Sequence, residues 1–116
     1  MNRFSVTVVD ALLKDYGGNW FNIEPIKKKI EVEIGDVRNT MLVEKLVKGK
    51  DIIYSLAGTL SHVDSMTDPF TDLEVNCVSQ LVLLEACRKH NPTAKLLFAG
   101  SYDLDKPKGQ PGALEV

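Results

Sequence analysis

Apolar residues along the chain fall into short β-branched runs separated by stretches of helical spacing. Val6, Val8 and Val9 predict a strand over 5–9 that Asp10 closes. Ile30, Val32 and Ile34 alternate with Glu31 and Glu33 over 29–34, which suits a strand with one wet face, as at a sheet edge. Ile52-Ile53 with Leu56 over 51–57, and Leu96-Leu97-Phe98 over 95–99, are unbroken apolar runs and predict strands covered on both faces. Between the second and third strands, Leu42, Val43, Leu46 and Val47 recur at helical spacing, and Gly49 follows as a C-terminal cap. Before the fourth, Asp68 is a good N-cap and Pro69 a good first helical residue. Phe70, Leu73, Cys77, Leu81 and Leu84 then form an apolar stripe that Asn91-Pro92 ends. Gly17 to Pro25 reads as an irregular loop, and the tail from Asp103 carries Pro107, Gly109, Pro111 and Gly112 with little to pack.

Strands alternating with helices predict parallel pairing through right-handed crossovers, hence an α/β layered fold. The 116 residues allow one domain, and 44% hydrophobic with 26% charged residues is globular rather than disordered composition. A net charge of −2 gives no electrostatic reason to expect nucleic acid or an anionic membrane as partner. Lys27-Lys28-Lys29, the one basic run, reads as a solvated approach to a strand. Cys77 and Cys87 fall on one predicted helix, about 15 Å apart, beyond the ~4.4–6.8 Å of a disulfide. Both are expected to be buried, reduced thiols of a cytoplasmic protein. Met1 to Phe4 runs into a strand with no apolar stretch of signal-peptide type, and no apolar run approaches the ~20 residues that span a bilayer. His62 and His90 have no partner spacing for a metal site, and His62, two residues before Asp64, is expected to make a loop hydrogen bond.

The run Ser61-His62-Val63-Asp64-Ser65-Met66-Thr67-Asp68-Pro69-Phe70 follows a strand ending Tyr54-Ser55-Leu56-Ala57-Gly58. With Leu73-Glu74-Val75-Asn76 and Leu83-Leu84-Glu85-Ala86-Cys87, it resembles the middle of an extended short-chain dehydrogenase/reductase of the nucleotide-sugar epimerase and dehydratase kind. The resemblance covers residues 5 to 101. It implies a partial Rossmann-like, doubly wound parallel sheet, with the four strands equivalent to strands 2, 3, 4 and 5 of the order 3-2-1-4-5-6. The alternating Glu31/Glu33 strand then lies at the sheet edge, and the two apolar strands are central. Residues 1–102 form this partial domain and 103–116 a flexible tail.

Several positions acquire expected roles from the resemblance. Asp10 ends a strand where the fold's acid accepts hydrogen bonds from the adenosine ribose, favouring NAD over NADP; capping the following segment is the local alternative. Asp36-Val37 matches a Gly-Asp-aliphatic turn whose Asp contacts the adenine amino group, while an Asp capping backbone N–H groups serves equally well. Leu56-Ala57-Gly58 lies where the family passes the cofactor's pyrophosphate and nicotinamide ribose, with a plain turn as alternative. Asn76 ties its helix to the active-site strands in the family; otherwise it faces solvent. Ser101 matches the Ser or Thr that hydrogen-bonds the substrate's sugar oxygen, and is the catalytic-side candidate.

The family's glycine-rich phosphate loop has no counterpart among these residues, and its Tyr-x-x-x-Lys pair, whose lysine lowers the pKa of the proton-moving tyrosine, is not matched in place: Tyr102, with Lys106 four residues on, follows Ser101 too closely. The expected function is therefore that of a piece of an NAD-dependent nucleotide-sugar epimerase or dehydratase, not catalytic alone. A non-catalytic nucleotide-binding remnant and an unrelated flavodoxin-like interaction domain are the alternatives. The order 3-2-1-4-5 also leaves unpaired edges on the first and third strands. Closure into a continuous four-stranded sheet, or self-association, is expected to cover them.

Overall fold

Four strands form where the β-branched runs lie: β1 at Thr7–Asp10, β2 at Glu31–Ile34, β3 at Ile52–Ser55 and β4 at Lys95–Phe98. The structure, a computed structural model, describes residues 4–14, 17–59 and 62–99, so Ser101 and the 103–116 tail lie outside it. β1 pairs in parallel with β2, Thr7 opposite Glu31 through Asp10 opposite Ile34. β3 pairs in parallel with β4, Ile52 opposite Lys95 through Ser55 opposite Phe98. Parallel neighbours require crossovers, and helices supply them. Helix α1, Thr40–Val47, joins β2 to β3; its N-cap is Asn39, whose Oδ1 accepts from the Leu42 N–H at 3.2 Å. Gly49 follows it in the left-handed region at φ +69°, as a helix terminator needs.

Between β3 and β4 the chain winds through α2 (His62–Thr67), α3 (Pro69–Leu73), a π-turn (Glu74–Val78) and α4 (Ser79–His90). Asp68 caps α3 as its sequence predicts, accepting from the Thr71 N–H at 3.2 Å. The core is the seam between α1 and α4. Val43 and Val47 of α1 meet Ala86 of α4, with Ile53, Val82, Leu83 and Cys87 packed around them. Ala86, 1% exposed, has so small a side chain that the two helix backbones approach closely. At the end of α4, Asn91 Nδ2 donates to the carbonyls of Val47 and Lys50, each at 2.7 Å, and so ties the last turn of α1 to β3.

Several expectations are corrected here. The stripe Phe70, Leu73, Cys77, Leu81 and Leu84 faces outward, with Phe70 78% and Leu81 60% exposed. The π-turn adds a residue to the helical winding, so the phase read across 70–84 does not persist, and the inner face becomes Ser79, Val82, Leu83 and Ala86. Cys77 accordingly is exposed and Cys87 half-buried; burial pushes the Cys87 thiol pKa up. Among the described residues β3 and β4 are covered on one face only: Ile53 packs into the core while Tyr54, Leu97 and Phe98 remain exposed. Residues 62–67 are helical rather than a loop. The expected irregular segment holds two 3₁₀ turns, Trp20–Asn22 and Glu24–Lys29, with Lys27 Nζ 4.5 Å above the Trp20 ring.

Closure of the sheet does not occur. β1–β2 and β3–β4 are separate two-stranded sheets, so among the described residues each of the four strands has one unpaired edge, and outermost position does not single out β2. Seated against α4, the α1 crossover holds the two pairs apart, bridged by Lys50 Nζ on Thr7 Oγ1 at 3.3 Å.

Replacing Asn91 by Ala leaves two carbonyls without their donor and is expected to destabilise the fold by about 1–3 kcal/mol, read from urea unfolding of the variant against the native chain.

Candidate functional site

Lys50, just before β3, reaches Thr7 at the start of β1, and Val37, after β2, lines one cavity with Ser55 and Ala57 at the end of β3, so the two strand pairs run in the same sense and their carboxyl ends share an edge. Ligands of open parallel sheets bind at that edge. Four predicted segments arrive there: Asp10 after β1, the Gly35–Arg38 turn after β2, Leu56–Thr59 after β3, and Ala99 after β4.

Asp10 is exposed, and its carboxylate is half engaged: Oδ1 accepts from the Leu12 N–H at 2.8 Å, which steadies a turn where Leu12 has φ +49°. Oδ2 carries no hydrogen bond among the described residues. The local capping role and an open acceptor oxygen thus coexist. The Gly35 N–H donates to the Asp10 carbonyl at 3.1 Å, joining the end of β1 directly to the turn after β2. A Cβ at Gly35 would meet the terminal methyl of the Leu42 side chain, so glycine lets this turn lie against α1 without displacing that leucine.

Asp36 caps its own turn and is gripped by Arg38. Its Oδ1 accepts from the Arg38 N–H at 2.8 Å and from Nε at 3.0 Å, and Oδ2 from a guanidinium NH₂ at 2.6 Å. The Arg38 side chain, through hydrogen bonding first, holds the Asp36 carboxyl below its usual range, and Asp36 in return raises the guanidinium pKa. Arg38 also reaches Glu74 of the π-turn at 3.2 Å, so one guanidinium spans from the β1–β2 half to the helix that follows β3. Sequence reasoning missed Arg38; its position two residues after an Asp was the available signal. Val37 lines an apolar cavity of about 50 Å³ with Val43, Ser55, Ala57, Ser79, Gln80 and Leu83, where the buried Ser55 donates to Gln80 Oε1 at 2.7 Å.

Leu56, Ala57 and Gly58 are exposed at the edge, and the loop they begin is anchored by Asn76. Asn76 Oδ1 accepts from the Thr59 N–H at 2.8 Å. Its Nδ2 donates to Thr59 Oγ1 at 2.6 Å and to Asp72 Oδ1 at 2.9 Å. Thr59 Oγ1 closes the ring by donating to Asp72 Oδ1 at 2.5 Å. A Cβ at Gly58 would sit 3.1 Å from Asn76 Oδ1, tighter than ordinary contact, so the loop passes the amide at glycine distance. Thr59 and Asp72 were not foreseen, although Asp72 and Asn76 stand one helical turn apart. The small cavity beside this ring, also about 50 Å³, is lined by Thr59, Asp64, Asp68, Thr71 and Asp72. Neither cavity approaches the ~300 Å³ of a small-molecule pocket, so the edge is open rather than enclosed. Ser101, two residues past Ala99, lies outside the described residues.

Comparison with known proteins agrees with this geometry. Residues 4–113 match the NAD dependent epimerase/dehydratase family, and the chain belongs to that family. The dTDP-glucose 4,6-dehydratase of Mycolicibacterium smegmatis is 36% identical over 108 residues, which take in 89% of this chain and 32% of the relative. The CDP-paratose 2-epimerase of Salmonella typhi is 32% identical over 69 residues, 58% of this chain and 20% of the relative. Among solved structures, the UDP-glucose 4-epimerase of Thermus thermophilus in complex with NAD superposes with a TM-score of 0.73 at 30% identity, over 93% of this chain and 34% of that one. The chain thus spans about a third of the length of the first of these relatives and of the superposed epimerase. The partial Rossmann-type parallel α/β fold is that of its structural neighbours.

Two outcomes are expected of the site. Since the folded-state pKa of Asp36 lies below its ordinary 3.8, its stabilising contribution is complete above about pH 4 and is lost as pH falls through the lowered value. The stability difference between the native chain and Asp36→Asn, followed by unfolding from neutral to acid pH, should be constant and then shrink below about pH 4. Replacing Asn76 by Ala should speed amide exchange at Thr59 roughly tenfold while β3 amides keep their protection, measured by hydrogen exchange.

Proposed function

We propose that this chain provides the adenosine-binding half of an NAD site in a nucleotide-sugar epimerase or dehydratase. The observation that carries the reading is the hydrogen bond from the Gly35 N–H to the Asp10 carbonyl. It sets the strand-end acid and the Gly-Asp-Val turn side by side, as an adenosine needs them. Asp10 offers Oδ2 to the ribose hydroxyls. The Asp36-Val37 turn borders the adenine, with Asp36 using a lone pair that Arg38 leaves open. Leu56-Ala57-Gly58 presents small side chains and backbone to the pyrophosphate and second ribose, and Asn76 fixes that loop's position through Thr59.

When bound, NAD accepts hydride from a sugar carbinol, C4 in the reading favoured here, and the names of the relatives supply the nucleotide-sugar substrate class. Ser101 is assigned to the substrate oxygen at the end of the β4 segment. Residues 1–102 form this domain and 103–116 extend beyond it. Tyr102 and Lys106 stand at the Tyr-x-x-x-Lys spacing but follow Ser101 directly, without the twenty or more residues the family keeps between them, so binding without turnover is the expected behaviour of the chain taken alone.

Titrating the ¹⁵N-labelled chain with NAD tests this. Amide shifts should concentrate at Asp10, Asp36 and Gly58, with Asp10→Ala weakening binding about 10-fold or more. Equal binding by Asp10→Ala, or shifts confined to residues away from the strand ends, overturns the ribose assignment.

A further inference from the structure

Arg38 engages all of its guanidinium nitrogens. Nε and one terminal nitrogen close on the two oxygens of Asp36, at 3.0 and 2.6 Å. The second terminal nitrogen takes no part in that grip, and Glu74 Oε2 accepts from it at 3.2 Å. This last partner belongs to the other strand pair: Asp36 and Arg38 follow β2, whereas Glu74 opens the π-turn that comes after β3. The same π-turn carries Asn76, whose Oδ1 accepts from the Thr59 N–H at 2.8 Å. Wide turns of this kind are rare in helices and concentrate at functional sites.

A guanidinium keeps its charge at every physiological pH and offers donors only, while a carboxylate offers acceptors only. Beside a base, an open guanidinium donor favours a ring carbonyl, and a carboxylate favours an exocyclic amino group. The turn after β2 thus holds two opposed preferences in one ion pair. Glu74 decides between them. With it, two carboxylates stand against one guanidinium, the group is anionic, and the outer donor of Arg38 is taken. Without it, the charges cancel and that donor is open.

We propose that Glu74 is a positioning residue for base selection: by occupying the outer donor of Arg38, it keeps the Asp36 turn selective for a base bearing an exocyclic amino group over one with a carbonyl at the same ring position. The inference rests on the adenosine-binding reading and adds to it a residue that acts only through Arg38. The three side chains are between 38% and 54% exposed, so water and salt moderate the effect. Discrimination of about tenfold is the scale expected, well short of the roughly 10⁴-fold of a buried polar pocket.

The probes are NAD and nicotinamide hypoxanthine dinucleotide, which differ only in the amino group or carbonyl of the base. Their phosphates and riboses are the same, so the ratio of the two dissociation constants isolates the base. It is measured with the full ¹⁵N-labelled chain by amide-shift titration. The native chain should favour NAD about tenfold, and Glu74→Ala about twofold or less. Glu74→Gln, which keeps an oxygen for Arg38, should restore part of the preference. In an Arg38→Ala background, Glu74→Ala should leave the ratio unchanged, because the route through the guanidinium is already gone. Amide protection of β3 and β4 reports that each variant is folded. Should Glu74→Ala lose it, Glu74→Lys, which repels Arg38 and suits a helical position, takes its place with the same expected loss.

Equal affinities in the native chain, an undiminished ratio in the Ala or Lys variant, or Glu74→Gln no better than Glu74→Ala overturns the proposal. So does the same fall in the Arg38→Ala background, which means that Glu74 acts by another route. In each of these cases NAD still shifts Asp10 and Asp36, and the adenosine reading stands. Failure of both dinucleotides to shift those amides overturns that reading, and the proposal with it.

Discussion

The contact between Ala86 and the α1 valines is the constraint on which the rest of this structure depends. No backbone ladder joins the β1–β2 pair to the β3–β4 pair. What joins them is α1, which leaves β2, enters β3 and rests its buried Val43 and Val47 on α4. Asn91 then fastens the last turn of α1 from the far end of α4. Every residue at the carboxyl edge inherits its position from that seam, because β1 and β2 are carried by one side of it and β3 and β4 by the other. An alanine at the crossing matters more than a larger side chain would, since added volume there would push the halves apart and move Asp10 away from Gly58.

Charge provides a second, weaker tie at the opposite end of the molecule. Arg38 closes on Asp36 within its own turn and on Glu74 across the gap. These groups are more than a third exposed, so water and salt screen them and the pair contributes direction more than stability. Its importance is geometric. The guanidinium orients the Asp36 carboxylate and limits which lone pairs face outward, so the same interaction that settles the turn also selects what the turn can recognise.

Much of the architecture was legible in the sequence. The four strands, the α1 terminator at Gly49, the Asp68-Pro69 helix start and the Asn91-Pro92 stop follow from side-chain period and end chemistry, which are local. What was not legible depended on layers the local pattern cannot count. Unbroken apolar runs such as Leu96-Leu97-Phe98 suit a strand covered twice, yet β4 is covered once among the described residues. The stripe from Phe70 to Leu84 has flawless helical spacing, but a five-residue wide turn at Glu74–Val78 changes the winding and small residues take the inner face. At the candidate site, the acids and small residues stood out by position and kinship. Thr59, Asp72 and Arg38 did not, because their importance lies in which partners they reach, and Thr59 and Asp72 are 13 residues apart.

The lysine lying over Trp20 has a spectroscopic consequence. This tryptophan is the chain's only one, and it sits in the crossover between β1 and β2, on one side of the α1–α4 seam. Its emission therefore senses one half of the molecule, while Tyr54, exposed on β3, belongs to the other. With Tyr16 and Tyr102 replaced by phenylalanine, the chain carries a pair of intrinsic optical labels, one for each side, with Trp20 as a resonance acceptor for light absorbed by Tyr54. The separation of the two strand pairs can be followed in solution without adding a dye.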